Sequence, residues 1–164
     1  MSLGSRLPTL GSKGEGWVVI QFVLLFLEVA AGVNGLGQPL TEGAPRLVLA
    51  GLGVVAIAGG GLLALRGGSD LRDALTPLPH PLATASLVQT GVYSLVRHPI
   101  YGGIVILALG WGLVTASVAA LIGAVVLLAF FRLKSGVEEV WLSERYPEYA
   151  AYRSRTRRML PFIY

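Results

Sequence analysis

The chain contains no cysteine, so disulfides, thiolate metal sites and a cysteine nucleophile are all excluded. Charge is scarce too. Only 13% of the residues are Asp, Glu, Lys or Arg, against about 25% in an average soluble domain. A chain so poor in charge cannot cover a soluble globule with polar surface. What is abundant instead is apolar and small: 54% of the residues are hydrophobic, mean hydropathy is +0.68, and 22 of the 164 residues are glycine. Apolar runs with many glycines are the composition of close-packed helices in lipid. The reading is an all-α, polytopic membrane helical bundle.

A spanning helix needs about 20 mostly apolar residues. The first candidate is Gly16–Val33, "GWVVIQFVLLFLEVAAGV". The core of a secretory signal peptide runs only about 7–15 residues. This stretch is longer, so it reads as a retained span with Trp17 as an interfacial anchor. Gln21 and Glu28 interrupt it, so one face must turn away from lipid. The second span is Arg46–Leu65, which carries no charge after Arg46. Its "GLGVVA", Gly51 to Ala56, matches a dinucleotide fingerprint in letters only. No strand precedes it and it lies inside a lipid-length helix, so its glycines read as contact points for another helix.

Residues 66–98 are more polar and carry Pro77, Pro79 and Pro81. Alternate prolines enforce extended backbone, so this is a loop lying along or dipping into the protein, with His80 structural. Two short apolar halves follow, residues 100–114 and 118–131, broken at Thr115-Ala116-Ser117. They form a tight helical hairpin with Ala116, Ala120 and Ala124 as a small-residue seam. Each half is short for a span, so both are expected to be extended by the flanking polar segments. The tail is basic and reads as amphipathic helices at about 132–145 and 147–157, with Pro147 in the first turn of the second.

This gives about four spans. The chain divides into residues 1–65, the N-terminal segment with two transmembrane helices, and residues 66–164, the catalytic region. Arg6 and Lys13, the 66–98 loop and the tail carry the basic residues, while the 34–45 loop has none. The positive-inside rule then places both termini in the cytoplasm of a multi-pass cell-membrane protein. "RHP", Arg97 to Pro99, emerges on the same side as the tail. The hairpin brings Arg97 and His98 toward Lys134, Glu138 and Glu139. Ionisable groups at a membrane boundary are costly and point to function. Lys134 and Glu138 are four apart and share a helix face, whereas Glu139 points elsewhere.

The blocks around this junction resemble the isoprenylcysteine carboxyl methyltransferase family of integral membrane enzymes. Gly91 and Tyr93 match its G-x-Y. Arg97, His98, Pro99 and Tyr101 match R-H-P-x-Y, and Glu138, Glu139 and Leu142 match E-E-x-x-L. Tyr149 and Tyr152 match Y-x-x-Y, and Leu160 to Ile163 match the terminal L-P-F-I. The resemblance covers residues 82 to 163. It implies methyl transfer from S-adenosylmethionine to a lipophilic or prenylated acceptor that arrives from the bilayer, with the C-terminal helices covering the cofactor pocket. It carries cofactor contacts onto Ala85, Ser86, Leu87, Val88, Tyr93, His98, Pro99, Ile100, Tyr101 and Glu138. It carries the acceptor's carboxylate onto Lys134, where the family has an arginine. The family's histidine at another position is here Ala85.

A carboxylate acceptor is already ionised, so transfer to it needs alignment and exclusion of water rather than a general base. An amine or hydroxyl would need a base, for which Glu139 or His98 are the candidates. Arg97 is expected to hold the loop or an acidic group. Lys134, Arg97 and Glu139 are thus the candidate catalytic residues. Membrane lipids are expected partners, while nucleic acid and metal are not. The competing readings are a phospholipid amine N-methyltransferase, an NADPH-dependent reductase of sterol-like or polyprenyl substrates with a similar R-H-P-x-Y, and a non-catalytic membrane module.

Overall fold

The computed structural model describes residues 8, 10–36, 41–81 and 85–160. Arg6 and the Pro161–Ile163 part of the terminal block lie outside them. The described residues form helices α1 (Glu15–Gly35), α2 (Gly43–Leu71), α3 (Pro99–Thr115), α4 (Val118–Arg145) and α5 (Tyr149–Arg155), with short 3-10 turns at Arg72–Ala74 and Gly91–Ser94. No strand is present among them. α1, α2 and α4 are long and apolar enough to cross a membrane, and α3 is a shorter apolar helix.

α3 is the centre of the bundle, packed between α2 and α4, and α1 lies against α4 and α3. The α2–α3 contact is backbone on backbone. Gly53, Gly60 and Gly67 recur one per seven residues along α2, and Gly103 and Gly110 do the same on α3. A Cβ on Gly53 would meet the Gly110 carbonyl at 2.7 Å, and one on Gly103 would meet the Gly60 carbonyl at 2.6 Å. The remaining face of α2 is apolar and exposed, including Leu47, Val55, Leu62 and Leu65, as a lipid-facing helix requires. The alanine seam is buried at all three positions.

α1 turns its polar residues inward. Trp17, Gln21, Glu28, Gly32 and Gly35 are its buried residues. Trp17, expected at the lipid interface, instead packs on Phe130 with ring centroids 5.7 Å apart and donates to the Pro8 carbonyl at 3.2 Å. Both carboxyl oxygens of Glu28 are buried without a hydrogen-bond partner, in space left by Gly123, whose Cβ would come within 2.0 Å of one of them.

Three boundaries differ from the sequence reading. α2 runs on to Leu71 because its last turn has a docking site. Gly67 packs on Pro99 and Ile100, and Asp70 accepts from the Val92 amide at 2.8 Å. α3 is not extended toward its N-terminus. Pro99 sits at its first turn, and proline disfavours a helical residue before it. At 17 residues α3 is about 26 Å long, short of the roughly 30 Å hydrocarbon core, so its proline end lies close to the bilayer. The hairpin's second half and the first tail helix are one 28-residue helix, capped by Ser117, whose hydroxyl accepts from the Ala120 amide. It ends where Pro147 forces Tyr146 into extended backbone, with φ −116 and ψ 107. α5 starts at Tyr149, so Pro147 precedes it.

Candidate functional site

A short parallel pairing builds the site. Val96 bridges to Arg157. The Arg97 and His98 amides donate to the Arg157 and Arg158 carbonyls at 2.9 and 2.8 Å, and the Arg157 amide donates to the Leu95 carbonyl at 2.9 Å. The tail is thereby tied as a strap across the start of α3. Met159 is buried, and its carbonyl lies where a Cβ on Gly102 would be, 2.3 Å away.

Glu139 fastens this strap. Its carboxylate is 3% exposed and meets Arg97 Nε at 2.9 Å, Arg158 Nη2 at 3.1 Å, His98 Nε2 at 3.3 Å and Arg153 Nε at 3.5 Å. Arg97 also donates to the carbonyl of Thr156 and, at 3.2 Å, to that of Arg153. Arg97 therefore holds both an acidic group and the strap.

Glu138, one residue earlier, faces the other way. His98 Nδ1 reaches its carboxylate at 3.3 Å, and the Tyr101 hydroxyl donates to it. The His98 ring thus bridges both glutamates, one nitrogen to each. Burial opposes a charge on this imidazole, but hydrogen bonds and attraction from Glu138 and Glu139 outweigh it and hold its pKa above the ordinary value. With a carboxylate facing each nitrogen, the arrangement favours the imidazolium form. His98 stacks on Tyr101 at 5.6 Å, and Tyr101 stacks on Phe131 at 4.6 Å.

Lys134 does not pair with Glu138, although the two share a helix face. Its side chain is fully buried. Its ammonium donates to Gln21 Oε1 at 2.6 Å and to the Pro77 carbonyl at 2.9 Å, and lies 5.1 Å from the Tyr101 ring centroid. Gln21 had drawn notice only as a polar interruption of the first span. Both acceptors are neutral, and no carboxylate among the described residues comes within ion-pair distance, although Glu138 attracts the ammonium from farther away.

These groups surround a cavity of about 400 Å³, within the range of about 300–1,000 Å³ of small-molecule sites. Its wall combines apolar side chains (Leu71, Leu75, Ile100 and Ile104 among them) with Arg97, His98, Lys134 and Glu138. Ala85, Ser86, Leu87, Val88, Tyr93, Ile100 and Tyr101 also line it. Pro99 and Glu139 do not. Pro99 is buried against α2, and Glu139 is turned to the strap. The proline loop does dip into the protein, with Pro77, Pro79 and Pro81 in the cavity wall and His80 resting on Trp141 at 5.2 Å.

The tyrosines complete the wall. Tyr146 donates to the Ala85 carbonyl at 2.6 Å and Tyr152 to the Tyr93 carbonyl at 2.8 Å. The Tyr149 hydroxyl is buried with no partner. Burial pushes the Tyr93 and Tyr149 phenols up, and that of Tyr152 up to about 12. All three stay neutral at neutral pH. No group of three or more His, Asp or Glu among the described residues is arranged to hold a metal ion.

The phospholipid methyltransferase family model matches residues 48–149, from the start of α2 to the start of α5, more than half of the chain. The chain belongs to this family. It is a family of membrane methyltransferases, of the same class as the isoprenylcysteine carboxyl methyltransferases whose motifs the sequence resembles. The match leaves out α1, and with it Gln21. The chain is also similar to the cobalt-zinc-cadmium resistance protein CzcN of Cupriavidus metallidurans, 39% identical over 79 residues. Those residues are 46% of this chain and 36% of the relative, so the chain spans about a third of the length of that curated protein.

Proposed function

We propose that the protein transfers a methyl group from S-adenosylmethionine to the carboxylate of a lipophilic, isoprenylcysteine-like acceptor. The observation that carries this is the composition of one cavity. A carboxylate held by His98 and Tyr101 faces it, an ammonium with only neutral partners faces it, and apolar side chains open onto the same space at the end of a short membrane helix.

The wall suits the donor's mixed chemistry. Glu138 would hold its ammonium or ribose hydroxyls, His98 its carboxylate or ribose, and the chain at Ala85–Val88 together with Tyr93 its base. The unpartnered Tyr149 phenol is a spare donor in that wall. The bound donor supplies an electrophilic methyl on a sulfonium, whose C–S bond breaks as the acceptor's O–C bond forms, cancelling both charges without moving a proton. The residues of this chain have correspondingly little acid-base work. Lys134 holds the acceptor's anionic end as a point charge. The aromatic stack and the strap exclude water, and Arg97 and Glu139 act as positioning residues that keep the strap in place.

The phospholipid family match favours a second acceptor, the amine of a phospholipid. In that reading Lys134 meets the phosphodiester, and the departing amine proton needs an acceptor. Transfer of labelled methyl from S-adenosylmethionine to S-farnesyl-N-acetylcysteine or to phosphatidylethanolamine, in detergent, separates the two. A base-labile methyl ester on the thioether supports the carboxylate reading. A base-stable methylamine on the phospholipid moves the acceptor to the second reading.

A further inference from the structure

We propose that Gln21, on the first membrane helix and outside the segment matched to the family, sets the charge of the acceptor by holding the Lys134 ammonium without a directly paired carboxylate and aimed into the cavity. This rests on the methyltransferase reading. Lysine cannot accept a hydrogen bond, so the carboxamide oxygen must be the atom that faces it. An ammonium has three N–H donors. Gln21 takes one at 2.6 Å and the Pro77 carbonyl takes a second at 2.9 Å. These two grips come from α1 on one side and the proline loop on the other. They fix a long, otherwise flexible side chain and leave one donor for a ligand. Both Gln21 and Lys134 line the cavity, and both are buried, Lys134 completely.

Position 21 is where neutrality matters. A glutamate there would differ by one atom, would fit the same space, and would form an ion pair that cancels the charge. Gln21 supplies the same grip without a charge of its own, so the ammonium, attracted by Glu138 only from beyond ion-pair distance, stays available to whatever enters. A buried charge without a counter-ion is costly, and an entering anionic oxygen relieves that cost while an uncharged group does not. The substrate class this selects is a lipophile with an anionic oxygen, carboxylate or phosphodiester, on one donor. The apolar side chains Ile100, Ile104 and Leu71 in the same wall suit its hydrocarbon part.

The test uses the full chain in detergent and paired probes with and without an anionic oxygen. S-farnesyl-N-acetylcysteine is set against its methyl ester, and phosphatidylethanolamine in mixed micelles against diacylglycerol. S-adenosylmethionine binding is measured in parallel. Wild type is expected to bind one anionic probe about tenfold more tightly than its neutral counterpart, as a charge-assisted hydrogen bond implies, and the preferred pair identifies the source of the anion. Gln21→Glu is expected to erase that preference and leave cofactor affinity unchanged. Gln21→Met, which removes the grip but not the charge, is expected to weaken the anionic probe severalfold and keep its preference over the neutral one. A folded Gln21→Glu protein that still prefers the anionic probe overturns the inference. If that variant does not fold, unchanged anionic affinity in Gln21→Met overturns it, as does a wild type that ignores charge. Absence of S-adenosylmethionine binding in the wild type would instead defeat the methyltransferase reading on which the inference stands.

Discussion

His98 lies between two carboxylates, 3.3 Å from each, so its protonation is coupled to the strap and to Glu138. Its pKa in the fold lies above the unfolded value, about 6.5. The folded state therefore binds the proton more tightly. The stability this contributes is complete below about pH 6.5 and is lost as pH rises through the higher folded value. Thermal stability of the wild type is expected to fall on the alkaline side of neutrality, and His98→Gln to flatten that limb. A pH-dependent loss lying wholly below about pH 6.5 would contradict the pairing.

The two adjacent glutamates should separate cleanly. Glu139→Ala leaves Arg97 buried without its carboxylate and is expected to cost about 3–5 kcal/mol, with early proteolysis in the 153–158 segment. Glu138→Gln keeps the strap and is expected to lower cofactor affinity at nearly unchanged stability. Equal losses of stability in both variants would refute the division of labour. That Glu138 and Glu139 face apart was legible from helical geometry. The partner of Lys134 was not. The helix rule places Glu138 within reach, but the ammonium is claimed by Gln21, more than a hundred residues earlier in the chain, and no local spacing signals such a contact.

Among the elements, the α2–α3 pair is the sharpest test. Its helices touch through Gly60 and Gly103, where an added Cβ has no room, while Gly51 on the same helix has nothing within 4 Å of its would-be Cβ. Gly103→Ala is expected to destabilise by about 1–3 kcal/mol through overpacking. Gly51→Ala is expected to be neutral or to stabilise by up to about 1 kcal/mol from helix propensity. Thermal unfolding in detergent checks both, and equal effects would refute the seam. The hairpin, the alanine seam and the role of the second span's glycines were readable from the pattern of small residues. The extension of the hairpin's second half into the polar segment was expected and α4 shows it, but that the first tail helix is this same helix was not, because composition changes at Arg132 whereas helix propensity does not. The strap was also hidden. Its hydrogen bonds are backbone to backbone, between segments whose side chains carry no pairing signal.

At the scale of the whole molecule, the bundle does one thing that soluble methyltransferases need not do. In the proposed reaction it lets a water-soluble donor and a membrane-borne acceptor share one cavity. α1 and the proline loop supply the grip on Lys134, α3 and α4 supply the polar cluster, and the strap is tied to the chain just before α3. The order of motifs foretold which residues would meet, and the family match agrees on methyl transfer. The proposed choice of acceptor depends on the third dimension, because the Lys134 ammonium is gripped by a residue of α1. The central claim is that this cavity binds a methyl donor. Calorimetric titration of S-adenosylmethionine into the purified protein, with NADPH as comparator, tests it most directly. The account predicts binding on the order of micromolar for the methyl donor alone, lost in the His98→Ala/Glu138→Ala double variant. A folded protein that takes up no S-adenosylmethionine, or that binds NADPH in its place, would contradict it.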